Sequence, residues 1–382
     1  MRTPSLLDRL RSLDPIIVGA TAFLLIVGLA ILMSATGPIA FQRWQDSLHM
    51  VKRQLVLGVF PGILAFLLFS LIDFRIWKRL AVFGFIGSLV LLLAVYTPLG
   101  VRVGGSLSWL NIAGIQFQPS EFVKFGLLLY FAAWLSSRTA KQVKDLHEGL
   151  LPFIGSLGAI VLLLIVQPDT GSMVVIAGMS GMMYLLSGAP LWWFGALGTS
   201  GVGLVWLLIK TSEYRAARFM TFLHPELDPQ GIGYHINQAM LAIGSGGWFG
   251  LGYGKSRQKF LYLPAVESDS IFAVMAEELG LIFCSVVLAV IGVLVWRCFQ
   301  ISKQSNDSFA KYLSAGVGIW IALQTVINIF SMLGLMPMTG VTLPFISYGG
   351  TSLTVLLAAI GLVASLPRNA SSRGVDLLKK RL

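Results

Sequence analysis

The sequence predicts an all-α polytopic integral membrane protein of about ten transmembrane helices, with a large extracytoplasmic loop between helices 7 and 8. Three observations predict it. The 382 residues are 56% hydrophobic and only 12% charged, with a mean hydropathy of +0.80, far outside the range of soluble globular domains. Apolar runs recur at the length of about 20 residues that a helix needs to cross ~30 Å of hydrocarbon. Nothing between them resembles a soluble domain or a low-complexity linker, so 1–382 reads as one membrane domain.

The first run, 16–34, follows Arg2, Arg9 and Arg11 and precedes nine others, so it is expected to be a span rather than a cleaved signal peptide. The others lie near 54–72, 80–97, 120–136, 150–167, 170–187, 190–209, 271–296, 312–333 and 350–367. Ten spans place both termini on one side. Of the 28 Lys and Arg, that side collects 17 and the opposite side 10, six of these in the segment 210–270 where the positive-inside rule is weak. Both ends are therefore expected in the cytoplasm. The formal charge of +11 marks flanks held near anionic lipid headgroups, and no nucleic-acid motif accompanies it. Cys284 and Cys298 sit 14 residues apart on one expected helix, about 21 Å along its axis, and cannot bridge. His49, His147, His224 and His235 lack zinc-ligand spacing.

The long loop, about 210–270, has its own pattern. YRAARFMTFLHP (214–225) spaces Arg215 and Arg218, and Phe219 and Phe222, three apart, which suits a short interfacial helix. GYHINQAMLAIG suits another. GSGGWFGLGYGKS (244–256) ends like a P-loop, but the glycine that motif requires five residues before Gly254 is Phe249 here. A tight turn using glycine's backbone freedom is the better reading.

Ionised side chains inside lipid are costly and should face protein or a wet cavity. In QPSEFVKF (118–125), Ser120 is placed to cap the fourth span, Glu121 complements its dipole, and Lys124 shares a face with Glu121. Asp169, in QPDTGS (167–172), either caps the sixth span or joins Lys124 in a polar cavity, and both are compatible. Four carboxylates mark LPAVESDSIFAVMAEELGLIF (263–283): Glu267, Asp269, Glu277 and Glu278. Ser268 or Asp269 is expected to cap the eighth span, where the dipole keeps the aspartate ionised. Glu277 and Glu278 lie about 12 to 14 Å deeper and on other faces, so they are expected to bind neighbouring helices. The last connection, PMTGVTLPFISYGGTSL (337–353), reads as a re-entrant or broken segment near the same mouth as Arg102 and Trp109. Its Ser347, Gly349 and Gly350 are candidates to line a binding cavity.

These features alone fit a transporter as well as an enzyme acting on a lipid-borne substrate. The motifs go further. SLSWLNIAGIQFQPSEFVKF (106–125), QPDTGS, RFMTFLHPELDPQGIGYHINQAMLAIGSGG (218–247), GYGKSRQKFLYLP, DSIFAVMAEELG and GVTLPFISYGGTSL occur in the order found in a known family. Across nearly the whole chain it resembles the SEDS family of cell-wall glycosyltransferases, typified by RodA and FtsW, and looks closer to the division branch.

The resemblance implies a peptidoglycan glycosyltransferase that polymerises lipid II into β-1,4 glycan strands at the outer face of the bacterial cytoplasmic membrane, for division or cell shape. It implies Asp269 as the catalytic residue and matches Glu121, Lys124 and Asp169 to the family's polar cavity. Relatives often carry a PEAHTDFIF-like run where this chain has PAVESDSIF, so Glu267 stands in place of a histidine. Glycosyl transfer needs a base for the acceptor hydroxyl and positive charge for the departing diphosphate. Asp269 is the candidate base. Arg102, Arg215, Arg218, Lys255, Arg257 and Lys259, or a divalent cation (Mg2+ or Mn2+) held with Asp269, are candidates for the charge. Ordinary interfacial anchoring competes for each basic residue. The implied partners are lipid II, a single-span class B penicillin-binding protein, other division or elongation proteins and membrane lipids. A lipid II flippase or another polyprenyl-lipid transporter is the competing function, and a non-catalytic division scaffold a third.

Overall fold

The computed structural model describes residues 6–103, 106–211, 213–224 and 231–367. Each of the ten apolar runs is helical. In chain order the elements begin with α1 (Leu6–Arg11), α2 (Pro15–Trp44), α3 (His49–Leu71) and α4 (Phe74–Ala94). Strands β1 (Gly100–Val103), β2 (Ser106–Ile112) and β3 (Ile115–Phe117) precede α5 (Pro119–Ser136), α6 (Ala140–Val143), α7 (Leu146–Val166) and α8 (Thr170–Leu186). Then come α9 (Leu191–Thr211), α10 (Glu213–Leu223), α11 (Ile232–Gly246), α12 (Ile271–Gln304), α13 (Ser308–Met332) and α14 (Gly350–Ala364). Among the described residues, α2, α3, α4, α7, α12 and α13 are long and apolar enough to cross a membrane, and α8 and α14 are shorter apolar helices. The protein is a polytopic membrane protein.

Burial identifies the centre. In α13, 72% of the most apolar 18-residue window is buried, against 17–33% in the other five long helices. It packs on α5, α8, α12 and α14, so its polar residues face protein rather than lipid. The outer helices turn apolar side chains such as Ile26, Phe83 and Leu162 outward, as a lipid solvent requires.

Three local features depart from the sequence reading. The connection before α5 is a three-stranded antiparallel sheet in the order β1-β2-β3. In SLSWLNI, Ser108 and Leu110 point inward, and Ala113 and Gly114, both at positive φ, close the β2–β3 hairpin as a two-residue turn. Second, Ser120 does not cap α5. Gln118 is the N-cap residue without a side-chain bond, and Pro119 starts the helix where its missing N–H costs nothing. Neither Ser268 nor Asp269 caps α12, whose N-cap residue is Ser270.

Third, α12 is broken at Gly280 (φ 74°, ψ 178°). A break exposes backbone groups that lipid cannot satisfy. The glycine-rich loop satisfies them: Leu251 N and Gly252 N donate to Glu277 O and Glu278 O (both 2.9 Å), while Leu281 N and Ile282 N donate to Gly247 O and Trp248 O. A Cβ on Gly280 would collide with Gly250 N and Trp248 O, and one on Gly250 with Glu278 O. Gly246 and Gly250 are therefore there for backbone-to-backbone apposition, and Gly247 and Gly252 for the positive φ of the turn (53° and 105°).

The 337–349 connection is non-helical and re-entrant, as expected. Phe345 and Ile346 lie against Gly28 in the middle of α2, where a Cβ would collide with Phe345 O. Buried Gln54 of α3 accepts from Gly349 N and donates to Ser347 O, satisfying backbone at that depth.

Candidate functional site

Asp269 is half-buried at the mouth of the bundle, one residue ahead of the α12 N-cap. The chain on either side of it is tied down residue by residue. Tyr348 N donates to Glu267 O (2.7 Å), Ser347 Oγ to Ser268 O (2.6 Å) and Asn328 Nδ2 to Asp269 O (3.0 Å). His235 Nε2 bonds Ser270 Oγ, whose own proton goes to Pro264 O (2.9 Å), so the imidazole is the donor. Four consecutive residues are thus held by the re-entrant segment, by α13 and by α11. Such over-determination fixes the backbone that carries the Asp269 side chain before any substrate arrives.

Beside this mouth α5, α8 and α13 build a polar interior. Asp169 caps α8 by accepting from Ser172 N (3.0 Å), and its other oxygen accepts from Ser120 Oγ (2.8 Å) and Gln118 Nε2 (3.1 Å) of α5. Both sequence readings of Asp169 hold in part: it is a cap and a cavity residue, but its partners are Gln118 and Ser120 rather than Lys124. One turn deeper, Lys124 is 2% exposed, and its Nζ donates to Glu121 Oε1 (2.7 Å) and Gln324 Oε1 (3.2 Å). The Trp320 ring lies 5.6 Å from the same ammonium. Gln324 in turn donates to Thr342 O (3.0 Å). This couples Lys124 to the re-entrant segment that holds Asp269.

The polar interior is not saturated. Among the described residues, Glu121 Oε2 and Asn328 Oδ1 are buried without a hydrogen-bond partner. Lys124 meets Gln324; Glu121 and Asn328 each lie one helical turn from that contact, toward the mouth, on facing helices. Two acceptors in one layer below Asp269 are thus left open to donors.

A second charged cluster lies on the seam of α2 and α12. Glu278, with no exposed surface, accepts from Ser34 Oγ, Lys259 Nζ (2.8 Å), Gly254 N and Ser256 N. Glu277 accepts from Ser256 Oγ, Arg257 N (2.9 Å) and Gln258 N. Only Ser34 among these partners lies on a neighbouring helix, so the two glutamates chiefly hold the glycine-rich loop. Lys259, 4% exposed, also donates to Gly254 O and Ser34 Oγ, so its three protons are used. Burial and full pairing remove Lys259 from the cations available to a diphosphate, correcting the sequence expectation. Ser347 likewise spends its hydroxyl bracing Leu343 N and Ser268 O. Gly350 serves close packing against Leu57 of α3, and Gly349 binds Gln54.

Arg102 is exposed on β1, beside a bulge in the β1–β2 ladder. Arg215 and Arg218 ride on α10, which forms as expected, but their side chains lie outside the described residues. Lys255 and Arg257 are exposed beside the α2–α12 seam rather than beside Asp269. Among the described residues no three His, Cys, Asp or Glu side chains converge to hold a metal. Mg2+ shared between one carboxylate and substrate phosphates needs no such cage, so Asp269 fits that arrangement. Gln324, Asn328 and His235 escaped the sequence reading. Gln324 and Asn328, four apart on an apolar helix, were the available signal.

Residues 15–372 match the family model described as "Cell cycle protein" that groups FtsW, RodA and SpoVE. The chain is 36% identical over 356 residues to "Stage V sporulation protein E" of Bacillus subtilis, covering 93% of this chain and 97% of that protein. It is 39% identical over 360 residues to "Probable peptidoglycan glycosyltransferase FtsW" of Thioalkalivibrio sulfidiphilus, covering 92% and 88%. Among solved structures, a chain from "Structural coordination of polymerization and crosslinking by a peptidoglycan synthase complex" superposes with a TM-score of 0.76 at 28% identity, covering 94% of this chain and 98% of that one. The crystal structure of Thermus thermophilus RodA, a rod shape determining protein, gives 0.69 at 29% identity, covering 94% and 97%.

Proposed function

The chain belongs to the SEDS family of FtsW, RodA and SpoVE, in its FtsW branch, and from that premise we infer that it is a peptidoglycan glycosyltransferase. Its substrate is lipid II, polymerised into β-1,4 glycan at the outer face of the cytoplasmic membrane, with both chain termini in the cytoplasm. An α-linked donor that yields a β product is attacked from the face opposite the leaving group, which requires one base. Asp269 is that base, taking the proton of the acceptor 4-hydroxyl as the new C–O bond forms and the bond to diphosphate breaks. The observation that carries this role is the tethering of residues 267–270 by three other elements, which presents one half-buried carboxylate at the mouth.

The departing diphosphate requires positive charge. Arg102, Arg215 and Arg218 would supply it, or a Mg2+ or Mn2+ ion held by Asp269. A single-span class B penicillin-binding protein is the expected partner, since a relative by structure belongs to a peptidoglycan synthase complex.

Purified protein, with that partner present, and labelled lipid II test the assignment. Asp269→Asn is expected to abolish glycan polymer while insertion and thermal unfolding stay at the wild-type level. Normal polymerisation by that variant rejects the base. Lipid movement across vesicles without polymer from the wild type would instead establish the carrier.

A further inference from the structure

We infer that Lys255 and Arg257 form a docking site, on the lipid-facing flank between α2 and α12, for the diphosphate of the lipid-linked substrate. The inference rests on the polymerase reading and names where the lipid is held before reaction. Depth is the first argument. At one end of the α2–α12 seam Asp14 pairs with Arg297 (2.7 Å), and at the other Ser34 meets Glu278 and Lys259. The two clusters are 20 residues apart along α2, which is about 30 Å at helical rise, one hydrocarbon thickness. The Lys259 cluster therefore lies at the headgroup plane of one leaflet, and the exposed Lys255 and Arg257 lie at that plane with it.

Surface chemistry is the second. Trp248 (67% exposed) and Phe249 (83%) project beside Leu281 and Ile282 on the lipid side, just inside that plane. Phe260 and Tyr262 are exposed on the same loop. Aromatics at the interface with cations among them suit the junction of acyl chain and phosphate. No described carboxylate pairs with Lys255 or Arg257, because Glu277 and Glu278 are spent on Lys259, Ser34, Ser256 and loop amides. These two cations have charge to give.

Position relative to Asp269 is the third. Arg257 N is bonded to Glu277, six residues into α12 and about 9 Å down its axis from Ile271. A diphosphate there is too deep to be the leaving group at Asp269. It suits the acceptor lipid, whose reacting hydroxyl stands two sugar rings from its own diphosphate. The fixed loop, welded to the α12 break, sets that spacing.

The test uses the full chain in nanodiscs of phosphatidylethanolamine, with undecaprenyl diphosphate as the probe. The double variant Lys255→Gln, Arg257→Gln is expected to bind it about 10- to 100-fold more weakly, the loss of charge-assisted contacts. KM for lipid II should rise accordingly with kcat within about twofold of wild type, thermal unfolding should not move, and Lys255→Arg, Arg257→Lys should restore binding. Unchanged affinity in the double variant overturns the inference. So does equal displacement of the probe by phosphatidylglycerol, which would make the patch a general anionic-lipid surface. A wild type that binds the probe but makes no glycan from lipid II, with the class B penicillin-binding protein present, refutes the polymerase and leaves the docking site standing.

Discussion

The two buried lysine–carboxylate clusters differ in one respect, saturation. Lys259 with Glu277 and Glu278 uses every carboxylate oxygen, and loop amides supply most of the bonds. Lys124 with Glu121 has an ion pair of similar length, 2.7 against 2.8 Å, yet leaves Glu121 Oε2 without a partner and Asn328 Oδ1 idle in the same layer. A network whose charged oxygens are all spent holds structure, because no carboxylate in it is left for a ligand, although the buried Gln258 Oε1 beside it has no partner among the described residues. An open one costs stability and is tolerated where something else completes it. The first cluster welds a loop to a broken helix, whereas the second lies beneath Asp269, the carboxylate proposed as the base.

The largest stability loss is expected at the closed cluster. Lys259→Ala leaves Glu278, with no exposed surface, carrying a charge without its counter-ion, a change of about 3–5 kcal/mol. Combining Lys259→Met with Glu278→Gln should recover much of the midpoint of thermal unfolding, since both ends of the pair are then neutral. Failure of the double variant to recover would mean that the charges hold more than each other. At the open cluster, Lys124→Ala is expected at the lower end of the same range, because Glu121 faces an unfilled layer where water can enter. Glu267→Ala should lose less than about 1 kcal/mol, as the bond that matters at that position uses its backbone carbonyl. Equal midpoints for Lys124→Ala and Glu267→Ala would erase the distinction.

Asn328→Ala sharpens the comparison differently. It removes two hydrogen bonds, to Asp269 O and Val341 O, at about 1 kcal/mol each, but also removes an unpaired oxygen. Stability should therefore fall modestly. Activity should fall about 10- to 100-fold, in kcat rather than KM, because Asp269 loses its tether to α13. A variant as active as wild type would show that the other three tethers suffice.

The spans were legible because hydropathy reports burial in lipid directly, and all ten runs are helices. The break in α12 was not, since 271–296 is apolar on both sides of Gly280 and hydropathy is blind to backbone angles. Its signal was split between Gly280 and a glycine-rich run about 30 residues earlier, which only the folded chain joins. The buried state of Lys259 was hidden for the same reason: its partners are Glu278 and Ser34, 19 and 225 residues away. Asp269, Glu121, Lys124 and Asp169 could be found because each is an ionisable residue at or inside an apolar run. Asn328 and Gln324 carry no charge, so only their spacing four apart on an apolar helix set them apart from other polar residues on α13.

An exposed ion pair supplies the smallest effect and a control on distance. Lys52 and Asp46 meet at 2.8 Å, the separation of Lys259 and Glu278, but their side chains are 63% and 36% exposed. The hydrogen bond from Lys52, then that from Leu48 N, holds the Asp46 carboxyl below its ordinary pKa. A depressed carboxylate contributes above the pKa of the unfolded chain, and that contribution is lost as pH falls through the folded value. Water already solvates both groups, so little is there to lose. Lys52→Ala is expected to leave the unfolding midpoint unmoved at neutral pH in moderate salt, while Lys259→Ala lowers it steeply. If the two substitutions shifted the midpoint alike, contact distance would govern these pairs and the number of otherwise unsatisfied atoms would not. The contrast between the closed and open clusters would then lose its physical basis.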